Sequence, residues 1–506
     1  MSRKRNYIKI AAAILLIAVG LLGCSTKDAQ PQSEQQDEQQ DMAQLQADEA
    51  GTESTEMTAD NALSSAEEGF ATPEEAVLNY LAGLRDSDFY RMAATFGEGS
   101  AAKNIPYQYA LLCGIDQIPE IADSSVVILD EREDAEKMLE ELTWRIEETD
   151  FGNMEFLGFV PPEELTDTYN SEAYQNGLPL IAQNNGGSEL ANLVAVIKIS
   201  EKQYMLYFDT IKIDDRWYNF ALGGILANVM YIEAEAVGVV QLDAHDEKVV
   251  KHLLSDNPES LPEPRVSEKT DEQLRVEGEG FDTPQQAAAN YLEGFKAHDM
   301  EQMISTFAVE SYAENYNMQA ELEWMQSYIF TQEDVSLPPV NDFVKDMINY
   351  ERKAQMIADI LVQGNALYLL DEYYRNDSDV AQEYEPFDWE ELTEKIDLDS
   401  IQILGYLPLE SLSDSVAPEY LTKTQNRNAE IYGADETENC VIVYEYDGDK
   451  YCLFMETVKY NGKWYNYKIG DQVSGVLGIY TEYAGAGPLE AVGDPEAVES
   501  LIVPIE

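Results

Sequence analysis

The chain repeats itself. Residues 69–96 read GFATPEEAVLNYLAGLRDSDFYRMAATF and residues 280–307 read GFDTPQQAAANYLEGFKAHDMEQMISTF; at an offset of 211, 13 of 28 positions are identical. A second block, LGFVPPEELTD at 157–167 against LGYLPLESLSD at 404–414, matches at an offset of 247. A third, YMLYFDTIKIDDRWYN at 204–219 against YCLFMETVKYNGKWYN at 451–466, keeps that offset. Three blocks in one order describe one domain used twice. The period is far too long for a solenoid, whose units recur every ~20–50 residues. The rise in offset places a net 36-residue insertion in copy two, between Phe307 and Leu404. The spacing therefore predicts two independent globular units.

Both copies open alike. Thr72 or Thr283 is a helix N-cap, Pro73 or Pro284 takes the first helical position, and Glu75 or Gln286 closes a capping box. In copy one Val77, Tyr80, Leu81 and Leu84 share a helical face. Asp88 and Asp299 cap a second short helix carrying Met92/Phe96 or Met303/Phe307. Further helices are expected near 134–148 and, in the insertion, near 342–370. Both copies close with an antiparallel meander, in copy two 440–446, 451–460 and 463–469. Asn461-Gly462 is a strong two-residue hairpin signal. Its register pairs Lys459 with Trp464, Thr457 with Asn466, and Glu456 with Tyr467. In copy one the pairs are Lys212–Trp217, Thr210–Asn219 and Asp209–Phe220. The Lys–Trp pair reads as hairpin packing. The expected fold class is α+β, in two tandem domains at 69–243 and 280–485, with a linker at 244–279 and a loose tail at 486–506.

Charge excludes whole classes of function. The chain has 506 residues with 97 Asp+Glu against 32 Lys+Arg, a net charge of −65. Nucleic-acid binders need basic patches that displace counterions, so no nucleic-acid partner is expected. The same charge argues against electrostatic docking on anionic lipid. Three His and four Cys leave little material for zinc or iron–sulfur sites. His245 and His252 fall in the linker and His298 in the loop after the first helix of copy two. No metal-ligand spacing, phosphate loop or nucleophile elbow is present, so no cofactor is expected.

The first 24 residues carry a different signal. Arg3, Lys4, Arg5 and Lys9 precede an apolar run from Ile10 to Leu22, 13 residues, too short for a spanning helix of ~20. Leu21-Leu22-Gly23-Cys24 resembles the lipobox of bacterial lipoproteins. The resemblance implies cleavage after residue 23 and diacylglyceryl attachment to Cys24, and two acyl chains hold a membrane stably. Cleavage removes four basic and no acidic residues, so Lys+Arg falls from 32 to 28 and the net charge from −65 to −69. Residues 24–68, rich in Gln, Glu, Asp, Ser and Ala, read as a disordered acidic tether. The implied location is the extracellular face of a cell membrane, with a Gram-positive surface as the best fit.

The opening TPEEAxxxYLxxL, the following D-[FM]-xx-M-xxx-F helix and the late GKWY strand of copy two resemble the nuclear transport factor 2-like superfamily, which includes SnoaL-like cyclases and ketosteroid isomerases. The resemblance implies a cone in each copy, with N-terminal helices packed in the concavity of a curved antiparallel sheet. It covers the two ends of each copy and speaks to fold, not activity.

One face of the penultimate strand carries Met205, Tyr207, Asp209, Ile211 and Ile213 in copy one, and Cys452, Phe454, Glu456, Val458 and Tyr460 in copy two. Each face is apolar but for one acid at the same position. If that face lines the cone, Asp209 and Glu456 sit in apolar cavities with raised pKa, and with Tyr207 and Tyr467 could bind a ligand or shuttle a proton. The alternative is an acid at a solvated rim. Cys440 and Cys452 flank a hairpin whose register points them to opposite faces, so they are expected as buried thiols; Cys113 has no expected partner. The 31 tyrosines suit β-meanders, or stacking on sugars and protein contacts. Two functional classes follow. One is a noncatalytic lipoprotein module binding a small molecule, a glycan or an envelope protein. The other is an isomerase-, dehydratase- or cyclase-like enzyme using a cavity carboxylate.

Overall fold

The computed structural model describes residues 69–505 apart from 97–100, 115–125, 129–131, 231–237, 255–259, 264–274, 330–335, 377–386, 413–417, 471 and 478–484. The signal segment, Cys24 and the tether lie outside the described residues. Copy one contains α1 (Pro73–Asp86), α2 (Phe89–Ala93), α3 (Ala101–Leu112), β1 (Val126–Ile128), α4 (Arg132–Glu148), β2 (Glu155–Val160) and α5 (Glu172–Asn184). It continues with β3 (Glu189–Ile199), β4 (Lys202–Ile213), β5 (Arg216–Leu222), α6 (Gly224–Val229), β6 (Val239–Gln241) and α7 (Asp246–Leu253). Copy two contains α8 (Pro284–Lys296), α9 (Met300–Ser305), α10 (Glu310–Asn315), α11 (Met318–Met325), β7 (Ser327–Ile329), α12 (Asp342–Asn376) and β8 (Gln402–Tyr406). After these come α13 (Pro418–Tyr432), β9 (Glu436–Tyr446), β10 (Asp449–Tyr460), β11 (Lys463–Ile469), α14 (Gln472–Val476), β12 (Ala486–Pro488) and α15 (Pro495–Glu499).

The fold is α+β, with two antiparallel sheets ordered β2-β3-β4-β5 and β8-β9-β10-β11; β6 pairs with β4, and β12 with β10. The local signals act as their chemistry requires. Thr72 Oγ1 accepts from Glu75 N and Thr283 Oγ1 from Gln286 N, both at 3.2 Å, and Asp88 and Asp299 cap the helices that follow. Ser87 and His298 hold the same left-handed turn after the first helix, at φ 53° and 57°. Asn461 and Gly462 both adopt positive φ, and the strands pair Tyr460 with Lys463, Lys459 with Trp464 and Thr457 with Asn466. Lys459 Nζ lies 5.2 Å from the Trp464 ring centroid.

One repeated hydrogen-bond staple ties helices to sheet in both copies. Asn219 Nδ2 donates to Thr95 Oγ1 at 2.8 Å and to the Ala76 carbonyl. Asn466 Nδ2 donates to Thr306 Oγ1 at 2.9 Å and to the Ala287 carbonyl. All four side chains are buried, where an unpaired donor costs about 1–3 kcal/mol; the staple pairs the Nδ2 of each asparagine and leaves its Oδ1 without a partner.

Three expectations fail. The register slips beyond Thr457: a bulge makes Glu456 face Lys468, not Tyr467, and in copy one Asp209 faces Ala221, not Phe220. The tail is not loose. β12 joins the sheet, Leu489 and Val498 enter a buried cluster with Cys452 and Phe454, and Val503 bridges to Tyr406. β12 and α15 stand 247 residues after β6 and the centre of α7, so each copy ends in the same strand and helix. Nor are the copies independent. Phe343, Val344, Met347 and Ile348 of α12 belong to one buried cluster with Phe89, Tyr109 and Leu142 of copy one, whereas Met356, Ile360 and Leu367 pack in copy two. β1 and β7 add a two-stranded ribbon between the copies. The insertion is therefore a beam shared by two cores.

Candidate functional site

In copy one the expected site residues lie in the outer layer of the sheet. The N-terminal helices pack on the face carrying Tyr204, Leu206 and Phe208. Met205 and Tyr207 point the other way, into a cluster with Val194, Val196, Leu226 and Val250. Asp209 shares that face and is fully buried. Its cross-strand neighbour Asn192 donates Nδ2–H to Oδ1, and Ile225 N, in the first turn of α6, donates to Oδ2 at 2.7 Å. Tyr174 Oη on α5 donates to Asn192 Oδ1 at 2.9 Å. Gly224 has φ +53°, and a Cβ there would lie 2.0 Å from Asp209 Oδ2. The close approach that delivers α6 to the carboxylate needs glycine. Burial pushes Asp209 up to about 7, against the opposing bonds from Ile225, Asn192 and Leu226. Burial also raises the Tyr207 hydroxyl, to about 12. Asp209 is a helix anchor enclosed in protein.

Copy two treats the equivalent acid differently. Glu456 accepts from Asn428 Nδ2 of α13 at 2.6 Å, and Arg427 Nη2 donates to Asn428 Oδ1 at 3.0 Å. Burial raises its pKa, partly offset by the Asn428 bond and by Lys468, Arg427 and Arg352. The bulge places Tyr467 between the paired residues Asn466 and Lys468. Its ring stacks on Tyr432 with centroids 3.9 Å apart and lies 5.5 Å from Tyr312. The Arg352 guanidinium, from α12, sits 4.3 Å from the Tyr467 ring and 5.0 Å from that of Tyr312. Arg352 Nη2 donates to the Tyr467 carbonyl at 2.7 Å, and Tyr460 Oη donates to the Tyr432 carbonyl at 2.7 Å. Tyr312 packs on Tyr316, whose hydroxyl donates to Glu321. Burial raises the Tyr467 hydroxyl, with Arg352 opposing.

Glu456 and Tyr467 thus come together, but through the bulge and α13 rather than through the hairpin ladder. Asp209 and Tyr207 lie in the other sheet. Sequence reasoning missed Arg352, Tyr312, Tyr432 and Asn428. For Arg352 and Tyr312 the available signal was the insertion itself: material added to copy two alone has to pack somewhere the repeat does not specify; Asn428 and Tyr432 lie outside it, where copy one has Ile181 and Asn185. At 247 residues' offset, Tyr432 and Tyr467 correspond to Asn185 and Phe220, so copy one has no such cluster.

Beside the tyrosines a cleft of about 370 Å³ opens at the seam between the copies. Leu139 and Thr143 of α4 form one wall; Asn315, Tyr316, Asn317, Met318, Pro338, Pro339, Val340 and Gly433 form the other. No charged side chain is among them. Cys113, Cys440 and Cys452 are buried and form no disulfide, with Cys452 opposite Val443 and Cys440 opposite Met455. Among the described residues no His, Cys, Asp and Glu group could hold a metal ion, and no helix is long and apolar enough to cross a membrane.

The structure itself defines the class at the level of architecture: α+β, two antiparallel sheets with packed helices. No family model and no curated protein matches the chain. Among solved structures, the chain is similar to a cystatin-like protein from Ruminococcus gnavus ATCC 29149, at a TM-score of 0.40 and 15% identity, over 79% of this chain and 89% of that one.

Proposed function

We propose that the protein is a membrane-anchored extracellular lipoprotein, held by lipid on Cys24, whose paired domains form a noncatalytic binding module. In this reading both domains are nuclear transport factor 2-like cones and the acidic tether holds them off the membrane. The ligand is a neutral small molecule, or the end of an envelope glycan or protein segment. It is received at the seam between the copies. The observation that carries this is the uncharged seam cleft, shallow and open to solvent, which suits a neutral group laid along it. The two carboxylates that an isomerase-like chemistry would use are enclosed and already hydrogen-bonded, Asp209 by Ile225 and Asn192, Glu456 by Asn428.

Two experiments test the reading. Cys24→Ser should move the protein from the detergent phase to the aqueous phase on phase separation of cells; an unchanged partition refutes the anchor. A library of neutral saccharides and small molecules, screened against the mature chain and against Leu139→Trp, should yield ligands lost in the variant. Ligands bound equally by both proteins, or none, refute the seam site.

A further inference from the structure

Both copies bury a tyrosine on the inner face of the first helix, Tyr80 on α1 and Tyr291 on α8. Each copy also lays a helix against the same three neighbours: α3 touches α2, β5 and β6, and α12 touches their counterparts α9, β11 and β12. Both of these helices set one buried glutamine among buried apolar residues, Gln108 between Ile105 and Leu112, and Gln363 between Ile360 and Leu367. In copy two the tyrosine and glutamine satisfy each other, since Tyr291 Oη donates to Gln363 Oε1. In copy one they do not. Tyr80 Oη, Gln108 Oε1 and Gln108 Nε2 are all buried without a hydrogen-bond partner.

Buried polar groups are nearly always paired, and a glutamine amide needs both a donor and an acceptor opposite it. We propose that the interior of copy one, between α1, α3 and the inner sheet face, binds a small neutral molecule carrying both a donor and an acceptor, of the primary amide or alcohol class. In copy two the corresponding place is closed by the Tyr291–Gln363 pair. The duplicated domains therefore divide their work: one receives a guest, and the other is closed by its own side chains. Neutrality follows from the surroundings, because none of the three atoms supplies a countercharge and Tyr80 is edged by the rings of Phe96 and Phe208, at 6.0 and 5.3 Å. This site is separate from the seam cleft, so either can fail without the other.

The test titrates the mature full-length chain with millimolar acetamide and follows its thermal unfolding. The expected result is a saturable rise in the melting midpoint. Tyr80→Phe deletes one bond and should weaken the response about tenfold. Gln108→Leu removes two of the three unpaired atoms and should abolish it, and it serves as the second variant if Tyr80→Phe does not fold. Gln363→Leu should leave the response unchanged. The absence of a saturable response in the wild type overturns the proposal, as does a response in Tyr80→Phe and Gln108→Leu equal to that of the wild type. So does a crystal structure in which Tyr80 bonds directly to Gln108, or in which ordered water alone satisfies both.

Discussion

Asp209 shows how one residue can set a pH dependence. Its carboxyl is fully buried and pushed up to about 7 by desolvation. A carboxyl with a raised folded pKa contributes stability that is fully present below its unfolded value and is lost as pH rises through the folded one. Asp209→Asn keeps an oxygen to accept from Ile225 and removes the ionisation. Between about pH 4 and about pH 7 the wild type should lose a few kcal/mol that the variant does not lose, read from denaturant midpoints at constant salt. A variant with the same slope as the wild type would show that Asp209 is not the titrating group. Gly224 gives a sharper residue-scale outcome. Gly224→Ala should cost more than the about 1–3 kcal/mol of a left-handed non-glycine residue, because its Cβ also meets Asp209 Oδ2 at 2.0 Å. Gly448→Ala, with φ +89° and nothing within 4 Å, should cost only the backbone share. Equal urea midpoints for the two would contradict the close approach.

At the scale of elements, the hairpins and caps were legible in the sequence because their determinants are local. Asn461-Gly462 specifies a turn within four residues, and Thr72 caps the helix it precedes. The bulge was not legible. Nothing between Glu456 and Lys468 marks an extra residue; the chain takes it where Asn219 and Asn466 reach the buried threonines at the ends of the helical pairs. That long-range bond shifts the ladder by one residue and re-aims Phe220 or Tyr467. The helical insertion was legible as a helix but not as a beam. Phe343 enters copy one's core, with ring centroids 4.7 Å from Tyr109 and 5.9 Å from Phe89. Phe343→Ala should cost about 3–5 kcal/mol. Although the residue belongs to copy two, hydrogen exchange should quicken in Ile105–Leu112 of copy one. Loss of protection confined to copy two would refute the shared packing.

For the whole molecule, the shared core predicts one cooperative unfolding transition rather than two. Calorimetric and van't Hoff enthalpies of the chain should agree, and two resolved transitions would refute the coupling. Several buried carboxylates share the direction of Asp209. Burial raises Glu351 to about 8, and raises Glu456, Asp359 and Glu277. Each contributes stability that is lost as pH rises through its folded pKa. Net charge adds to this, since the chain's −65 repels itself and this repulsion weakens as carboxylates protonate. Lys353, lowered by burial, works the other way from the alkaline end. The melting midpoint should rise as pH falls from about 8 to about 5, and a midpoint that falls over that range would contradict the cited directions.

The sequence by itself determined the duplication, the helix starts, the hairpin turns and the α+β class, because each depends on contacts a few residues apart or on a pattern visible twice. It also determined the composition that argues against nucleic acid and inorganic cofactors. Only the tertiary structure decided where the paired acids point, what holds them, and that residues added to copy two complete the core of copy one. Those outcomes rest on side chains from separate elements, 16 to 28 residues apart around the acids and more than two hundred apart in the shared core, competing for the same buried space. Asp209 and Glu456 occupy the same place in the repeat, yet one anchors a helix and the other joins a tyrosine cluster, because the side chains at corresponding places differ, Asn428 standing where copy one has Ile181, and because Arg352 comes from the insertion.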